Sequence, residues 1–324
     1  MRTVVITGAS GFVGRECCRR FRDGGWRVIA LSRRPDPTVA DRTLPFDLGA
    51  SGPGPEFGED VDAVLHLAGR AHALAETASD HDEYERINVE GTRRLVGASV
   101  RAGVRAFVLM STVKVFGDAQ QRPDRGLEET DPPAPDSPYG RSKLEAERIV
   151  LGERALNQRV VLRPALMYGA DAKGNLARMW KAVAAGRFPP LPETGMRRSL
   201  VHRDDAIAAL ERVVRTPAAN GKVFHVTDGC PLSAREMLDA VRVAQGRSLI
   251  RLALPVPILR CVAVAGDLAG ALRGRRAPLD SDALRKLIGP AWFNSAWIEQ
   301  AIGWRARRTF CEAVRELGPA RSSD

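Results

Sequence analysis

The chain has 324 residues, 44% of them hydrophobic and 27% charged, which is long enough and apolar enough to bury a large core. The formal net charge of +10 comes mainly from scattered arginines, without the basic blocks or the alternation of basic and aromatic residues that nucleic-acid-binding segments use. We therefore expect no nucleic-acid partner. We interpret the positive charge as a surface that attracts an anionic small substrate.

Five cysteines are spread along the chain without a pairing or metal-binding pattern. They are Cys17, Cys18, Cys230, Cys261 and Cys311. Because no CxxC spacing and no cluster of His and Cys occurs, the sequence predicts neither a disulfide framework nor a metal site. Free thiols suit a reducing compartment and no signal peptide precedes the first predicted strand, so we expect a cytoplasmic protein.

Residues 255–272 form the most apolar stretch. Arg260, Asp267 and two glycines interrupt it, and it falls short of the ~20 apolar residues that a transmembrane helix needs. We therefore expect a core helix of a second domain and no membrane contact. Peripheral membrane contact through this stretch is the alternative.

A glycine loop follows the first predicted strand, residues 2–7, and leads into a helix that ends near residue 24. Strand, glycine loop and helix is the order that binds a dinucleotide pyrophosphate, since the glycines allow close backbone approach and the helix N-terminus supplies N–H donors. The spacing is GxxGxxG. The predicted contacts are Gly8, Ser10, Gly11, Phe12, Val13 and Gly14.

The second predicted strand, residues 27–31, is followed by Ser32, Arg33 and Arg34. A carboxylate at this point would accept hydrogen bonds from the ribose hydroxyls and repel a 2′-phosphate. Here no carboxylate is present, and two guanidinium groups suit bidentate phosphate binding. We predict that NADP(H) is preferred, with NAD(H) as the alternative; the competing interpretation is two arginines in an exposed loop.

Three further predicted strands end at the same edge of the sheet, where ligands bind in open α/β folds. Strands and helices alternate up to Arg163, so the sequence predicts an α/β fold with a doubly wound parallel sheet, a Rossmann fold. Asn88, on a predicted helix at 82–103, is a cofactor-site residue, a brace for the backbone or a surface asparagine. The predicted cofactor residues in this part of the chain are Asp47, Leu48, Leu67, Ala68, Gly69, Asn88 and Ser111.

Tyr139 and Lys143 lie four residues apart near the start of a predicted helix, so their side chains share one face. A nearby ammonium favours the phenolate, and we expect Lys143 to lower the pKa of Tyr139 from its usual ~10 toward neutrality. The pair thus predicts a phenolic acid or base, although YxxxK also occurs on ordinary exposed helix faces. The long, proline-rich loop at 117–136 leads into Tyr139, and we interpret it as a substrate lid.

The later part of the chain predicts a smaller, mostly helical unit. We expect residues 1–164 and 199–228 to form the dinucleotide-binding domain, with a strand at 222–226 rejoining the main sheet. Residues 165–198 and 229–324 are expected to form the substrate domain, with helices near 176–185, 233–245, 256–273, 281–288, 295–302 and 309–317.

With the glycine loop, Ser111-Thr112 and Tyr139-x-x-x-Lys143 in this order, the sequence resembles the extended short-chain dehydrogenase/reductase family, also called the NAD-dependent epimerase/dehydratase family, over essentially the whole chain. It looks most similar to the nucleotide-sugar branch around UDP-glucose 4-epimerase and the UDP-4-keto-6-deoxy-hexosamine 4-reductases of bacterial surface-polysaccharide synthesis. The resemblance implies a UDP-sugar substrate and a homodimer formed through the helices at 82–103 and 138–157.

The resemblance also assigns residues. It implies that Thr112, Tyr139 and Lys143 are catalytic and that Tyr139, Lys143 and Arg163 lie beside the nicotinamide. The implied substrate contacts are Lys114, Asn175, Leu176 and Arg198, with Arg273, Arg275 and Arg276 as candidates for a second diphosphate-binding arginine.

One departure from the family pattern separates its branches. Dehydratases place Asp-Glu directly after the threonine, and Val113-Lys114 stand there in this chain. Together with the absence of an acidic residue at position 32, this favours an NADPH-dependent reductase of a UDP-4-keto-6-deoxy-hexose or hexosamine. The alternatives are a UDP-sugar 4-epimerase with tightly bound NAD, a reductase of a steroid-like or flavonoid-like carbonyl, and a non-catalytic NADP-binding sensor.

Overall fold

The computed structural model describes residues 1–34, 36–58, 60–70, 78–118, 122, 124–172, 175–274, 277 and 279–316; at 78–80, 175 and 273 it describes the backbone alone. Nine strands occur in these ranges. They are β1 (Thr3–Thr7), β2 (Arg27–Ser32), β3 (Arg42–Pro45), β4 (Ala63–His66), β5 (Ala106–Met110), β6 (Gln158–Pro164), β7 (Leu166–Tyr168), β8 (Leu200–His202) and β9 (Val223–Val226).

Seven of these strands form one sheet in the order β3-β2-β1-β4-β5-β6-β9, and every neighbouring pair is parallel. The chain runs outward from β1 to β3 and then returns to the other side of β1 with β4. Between β1 and β4 the strand order therefore reverses, and their carboxyl ends leave a crevice in which doubly wound folds bind ligands. The predicted fold class and the return of β9 to the main sheet are confirmed.

Eleven α-helices accompany the strands in the described part of the chain. They are α1 (Gly14–Asp23), α2 (Ala78–Tyr84), α3 (Gly91–Arg101), α4 (Pro138–Gly152), α5 (Asn175–Ala184), α6 (Arg203–Val214), α7 (Ala234–Ala244), α8 (Val256–Arg273), α9 (Ser281–Ile288), α10 (Ala296–Ile302) and α11 (Phe310–Glu316). A π-helical segment, Glu85–Glu90, joins α2 to α3, so the helix predicted at 82–103 begins at Ala78 and is wider in its middle.

Both faces of the main sheet are buried, as the continuous apolar strands require. Val4 and Ile6 point to the layer that contains Phe21 of α1 and Leu210 of α6. Successive residues of a strand point to opposite faces, and Val5 accordingly lies in the second layer with α3 and α4. The sheet is thus held rigidly from both sides, and its carboxyl edge is a fixed platform for side chains.

The second hydrophobic core joins α5, α7, α9 and α11 with the β7–β8 ribbon. Strand β7 belongs to the predicted substrate domain and β8 to the predicted dinucleotide-binding domain. The two strands pair in parallel, so this ribbon connects the two predicted domains. The domain boundaries themselves stay a prediction.

The expectation that residues 255–272 form a core helix is only half right. Helix α8 buries Leu259 and Ala263 in the second core, but Val262 is 49% exposed, Leu268 64% and Leu272 89%. Apolar residues surround this helix, so hydrophobicity alone could not indicate which face packs. In the described part of the chain, no helix combines the length and the hydropathy needed to cross a membrane.

Candidate active site

The glycine loop after β1 closes on itself as the sequence predicts. Gly8 has φ = 72°, and its carbonyl accepts a hydrogen bond of 2.9 Å from the N–H of Gly11. A Cβ atom at Gly14 would lie 2.0 Å from the Gly8 carbonyl oxygen, so this position accepts no side chain. The first turn of α1 therefore lies directly against the end of β1, and the loop fits a dinucleotide pyrophosphate.

The loop after β4 is fixed beside the glycine loop. The hydroxyl of Thr7, at the end of β1, accepts hydrogen bonds from the N–H groups of Leu67 (3.1 Å) and Ala68 (3.0 Å). A Cβ atom at Gly8 would approach the Ala68 nitrogen to 2.9 Å. The two loops on either side of the crevice are thus in backbone contact, and they form the floor of the predicted cofactor site.

Asn88 is a brace between this floor and the helix that carries the predicted tyrosine. The side chain is 2% exposed, so the surface interpretation is wrong. Its Oδ1 accepts a hydrogen bond from the Arg70 N–H at 2.8 Å, and its Nδ2 donates to the Arg70 carbonyl at 3.2 Å and to the Ser142 hydroxyl at 3.0 Å. The π-helical segment brings Asn88 to this point, in keeping with the frequent occurrence of such segments at functional sites.

The three predicted catalytic residues come together at the carboxyl end of β5. Ser137 caps α4 by accepting a hydrogen bond from the Gly140 N–H at 3.1 Å, which places Tyr139 in the first turn. The side chains of Tyr139 and Thr112 are hydrogen-bonded. Lys143, 5% exposed, donates from Nζ to the Met110 carbonyl at 2.9 Å. A phenol, a hydroxyl and an ammonium are thus grouped at one edge of the crevice.

The expected effect of Lys143 on Tyr139 is wrong. Burial raises the pKa of Tyr139 to about 12, and the hydrogen bond from Thr112 offsets only part of this rise. Burial also lowers the pKa of Lys143 to about 8, which the Glu147 carboxylate partly opposes. Desolvation disfavours both charged forms, and here it outweighs the attraction that the sequence suggested. At neutral pH the tyrosine is therefore a phenol that can donate a proton.

A buried ion pair lies behind the catalytic group. The Arg163 guanidinium donates to both Glu147 carboxylate oxygens, with Nη2–Oε2 at 2.6 Å, and the side chains are 5% and 2% exposed. Ser111 donates its hydroxyl to the same carboxylate, and the guanidinium lies 5.0 Å from the Phe116 ring centre. The side chains of Ser111 and Arg163, both predicted to contact the cofactor, bind the Glu147 carboxylate here, although Nη1 of Arg163 is buried without a hydrogen-bond partner among the described residues.

The residues predicted to choose between NADP(H) and NAD(H), Ser32 to Arg34, lie at the end of β2 as predicted. The Ser32 hydroxyl is within 3.0 Å of the Arg34 carbonyl and 3.3 Å of the Arg34 N–H. Arg33 and Arg34 are exposed, and within the described ranges neither guanidinium forms an ion pair. Asp47 and Leu48 follow β3 on the same side, with the Asp47 carboxylate capping the Gly49 N–H at 2.8 Å.

The remaining residues of the glycine loop differ in their surroundings. Ser10 is exposed, whereas Val13 is buried in the first core. Phe12 is half-buried, and the Arg203 guanidinium at the start of α6 lies 5.2 Å from its ring centre. This contact joins the glycine loop to the segment that follows the β7–β8 ribbon.

One of the predicted substrate residues, Lys114, lies on the short helical segment Val113–Phe116 that follows β5. Lys114 donates from Nζ to Asp118 at 2.8 Å, and Arg285 of α9 binds the same carboxylate at 3.0 Å. Burial opposes the ionisation of Asp118, yet the hydrogen bond and charge of Lys114 keep the pKa of Asp118 below its usual value. Lys114 is therefore part of an ion-pair network with Asp118 and Arg285.

The other predicted substrate residues are Arg198 and two residues of α5. Arg198 is half-buried and donates to the Gly289 carbonyl at 2.6 Å. Leu176 packs on the second core and lines a cavity of about 300 Å³ together with Trp180. The side chains of Asn175 and Arg273, and residues 275 and 276 entirely, lie outside what the structure describes.

The loop predicted as a lid is anchored over part of its length. Leu127, 2% exposed, donates its N–H to the Trp292 carbonyl at 2.9 Å and pairs with Phe293 in a short bridge. The Glu129 carboxylate accepts a hydrogen bond of 2.6 Å from the N–H of His225 in β9. Residues 119–121 and 123 lie outside the described ranges, and the lid stays a prediction.

Sequence reasoning missed four residues around the catalytic group. Glu147 follows Tyr139 and Lys143 at the same four-residue spacing, and this spacing alone could have identified it. His66 is fully buried between the hydroxyls of Thr7 (2.8 Å) and Thr92 (3.0 Å), and burial followed by the charge of Lys143 lowers its pKa to about 3. Ser142 and Tyr84 complete the set, with the Tyr84 ring centre 5.9 Å from that of Tyr139.

Comparison with known proteins agrees with this geometry. The sequence pattern described as the NAD dependent epimerase/dehydratase family matches residues 4–227, more than half of the chain. The chain belongs to this family. Its relatives are NAD(P)-dependent enzymes of the extended short-chain dehydrogenase/reductase type, and the site residues described above occupy the matched region, apart from the surroundings of α9.

Two relatives and one solved structure illustrate the range of the family. UDP-glucose 4-epimerase of Vibrio cholerae is 27% identical over 98% of this chain and 95% of its own. 2-Alkyl-3-oxoalkanoate reductase of Stenotrophomonas maltophilia is 26% identical over 97% of this chain and 98% of its own. The structure of MoeE5 in complex with UDP-glucose and NAD superimposes with a TM-score of 0.72 at 25% identity and covers 96% of both chains.

We expect Glu147→Gln to destabilise the protein by ~3–5 kcal/mol, since it leaves the Arg163 charge buried without its counter-ion. The matched control is Glu145→Gln on the same helix. Glu145 pairs with Arg148 at 3.1 Å, but their side chains are 41% and 68% exposed, and loss of such a pair costs about 1 kcal/mol or less. Urea unfolding measures both variants, and equal free energies of unfolding would contradict the role given to the buried pair.

Proposed function

We propose that the chain is an NADPH-dependent reductase of a UDP-4-keto-6-deoxy-hexose or hexosamine. The observation that carries the proposal is the grouping of Tyr139, hydrogen-bonded to Thr112, with Lys143 at the edge of a crevice that fits a dinucleotide. Arg33 and Arg34 at the end of β2 support the choice of NADPH, because they present two guanidinium groups where a 2′-phosphate would lie. The protein is proposed to act in the cytoplasm as a homodimer.

The chain's own residues perform positioning and proton transfer. When bound, NADPH supplies a hydride to the C4 carbonyl of the sugar. Tyr139 donates its phenolic proton to the carbonyl oxygen as negative charge develops there, and Thr112 hydrogen-bonds the same oxygen. Lys143 keeps two of its three ammonium hydrogens after bonding the Met110 carbonyl, and these are available to the nicotinamide ribose and to the phenolate that remains.

The segment after Thr112 supports reduction over elimination of water. Elimination needs a second acid and base next to the threonine, and the chain offers Val113, which is 8% exposed, and Lys114, whose ammonium is bound to Asp118. Neither residue supplies the carboxylate that would take up a proton from a sugar carbon. The two positions after Thr112 therefore lack the carboxylates that dehydration would use as acid and base.

A UDP-sugar substrate is supported by relatives and by charge. One relative is a UDP-glucose 4-epimerase, and MoeE5 binds UDP-glucose together with NAD. In this chain Arg198 borders the substrate side of the crevice, and the net charge of +10 attracts a diphosphate. Arg198, Asn175 and Leu176 are the proposed substrate contacts.

UDP-sugar 4-epimerization is a second candidate, which the 27% identity to UDP-glucose 4-epimerase over 98% of this chain favours. The same Tyr139, Thr112 and Lys143 would serve it, with the hydride returned to the opposite face of the sugar. An epimerase keeps its dinucleotide bound throughout turnover and needs no added reductant. NADPH consumption distinguishes the two activities, because a reductase consumes one NADPH for each product molecule and an epimerase consumes none.

Replacing Tyr139 by Phe is expected to lower kcat by ~10²–10⁴-fold, the usual contribution of a general acid, without weakening NADPH binding. Turnover is measured with UDP-4-keto-6-deoxy-N-acetylglucosamine and NADPH, and NADPH binding by fluorescence titration. Tyr168→Phe is the matched control, because the buried Tyr168 hydroxyl has no hydrogen-bond partner among the described residues. Equal kcat values for the two variants would refute the assignment.

The double substitution Arg33→Ala/Arg34→Ala is expected to weaken NADPH binding by ~10–100-fold and to leave NADH binding unchanged, since hydrogen bonds to charged groups contribute ~1.5–3 kcal/mol. Arg42→Ala is the control. This exposed arginine lies at the amino end of β3, whereas Arg33 and Arg34 follow the carboxyl end of β2. A wild-type preference for NADH, or a double variant with unaltered preference, would contradict the proposed cofactor choice.

A further inference from the structure

Helix α8 presents a long apolar face to solvent. Its members are large or sulfur-containing side chains that are exposed, namely Ile258, Cys261, Val262, Val264, Leu268 and Leu272. At 3.6 residues per turn these positions fall within about half of the helix circumference. We call this surface the α8 face. Leu249 and Leu252, 55% and 83% exposed, precede the helix in the chain.

The opposite side of α8 is fixed to the protein, so the α8 face cannot turn inward. Leu259 and Ala263 are each 1% exposed in the second core. A Cβ atom at Gly266 would lie 2.1 Å from the Leu279 carbonyl oxygen, which shows how closely the helix approaches the segment before α9. The helix therefore lies along the surface of the molecule with one side packed and the other in water.

The segment of the sequence that contains α8 is strongly one-sided in charge. Residues 249–276 contain five arginines, one aspartate and no other charged residue. Arg251 and Arg260 are exposed, and Arg260 stands at the border of the apolar face. The aspartate, Asp267, is engaged by the Ser281 N–H at 3.1 Å and the Ser281 hydroxyl at 2.5 Å. An apolar helical face bordered by arginines is the pattern of helices that lie in the interface of an anionic bilayer.

We propose that the α8 face docks this protein on the surface of a membrane that contains anionic lipids. The apolar side chains enter the boundary between headgroups and acyl chains, while the arginines contact lipid phosphates. A second copy of the chain is disfavoured as the occupant, because a twofold interface would bring two sets of arginines together. Exposed apolar patches of this extent mark interaction sites.

The test is co-sedimentation of the full chain with vesicles. Vesicles of phosphatidylcholine mixed with phosphatidylglycerol are compared with vesicles of phosphatidylcholine alone, at low and high salt. We expect binding to the anionic vesicles that weakens as salt rises. Val262→Glu/Leu268→Glu is expected to weaken this binding about tenfold or more, because two apolar groups leave the interface and two negative charges enter it.

Val243→Glu is the matched control, since Val243 on α7 is 49% exposed, the same as Val262, and lies outside the α8 face. It should bind vesicles like the wild type. Arg251→Gln/Arg260→Gln tests the charge without placing carboxylates on the helix, and it should selectively weaken binding to anionic vesicles. Circular dichroism shows whether each variant is folded.

Three results would overturn the proposal. The first is a wild-type chain that sediments with neither kind of vesicle. The second is equal vesicle binding by Val262→Glu/Leu268→Glu and Val243→Glu. The third is a wild-type oligomer in light scattering that Val262→Glu/Leu268→Glu dissociates, without vesicle binding by either, because the α8 face would then be an interface between copies of this chain.

Discussion

The position of α4 against the end of β6 is the constraint on which the active site depends. The ion pair between Glu147 and Arg163 fixes the middle of the helix, and the hydrogen bond between Asn88 and Ser142 fixes its first turns. Lys143 lies between these two points and reaches the Met110 carbonyl at the end of β5. These contacts of its own helix hold Tyr139 at the edge of the crevice. A rigid helix, rather than a loop, orients the proton donor.

Burial sets the protonation states in this region. It keeps Tyr139 a phenol, brings the pKa of Lys143 to about 8 and holds His66 neutral. The charges of Glu147 and Arg163 compensate each other further along α4, and the Lys143 ammonium lies beside the proton donor. A nearby ammonium stabilises an alkoxide as it forms.

The fold and the catalytic group could be predicted from local patterns. Gly8, Gly11 and Gly14 follow an apolar strand. The end of β5 brings Thr112 to the carboxyl edge of the sheet and the start of α4 brings Tyr139 there, as the regular alternation of strands and helices predicts. Side-chain directions could not be predicted in this way. Ser111 and Arg163 stand at the expected edge but turn into the buried network around Glu147, because its carboxylate, 36 residues from Ser111 and 16 residues from Arg163 along the chain, attracts them.

The error on α8 has a different origin. Hydropathy reports how apolar a helix is, whereas its exposure depends on which elements pack beside it. Leu259 and Leu268 look equivalent in the sequence, yet one is 1% and the other 64% exposed. Likewise, the expected effect of Lys143 on Tyr139 came from charge alone and neglected the cost of removing both groups from water.

The most direct test of the central claim is the fate of the hydride. The chain is incubated with UDP-4-keto-6-deoxy-N-acetylglucosamine and NADPH that carries deuterium at the transferred position of nicotinamide C4, and the sugar is analysed by NMR and mass spectrometry. The account predicts deuterium at C4 of the sugar and one NADP⁺ formed for each sugar reduced. A sugar without deuterium, or conversion of UDP-glucose to UDP-galactose without added reductant, would contradict it.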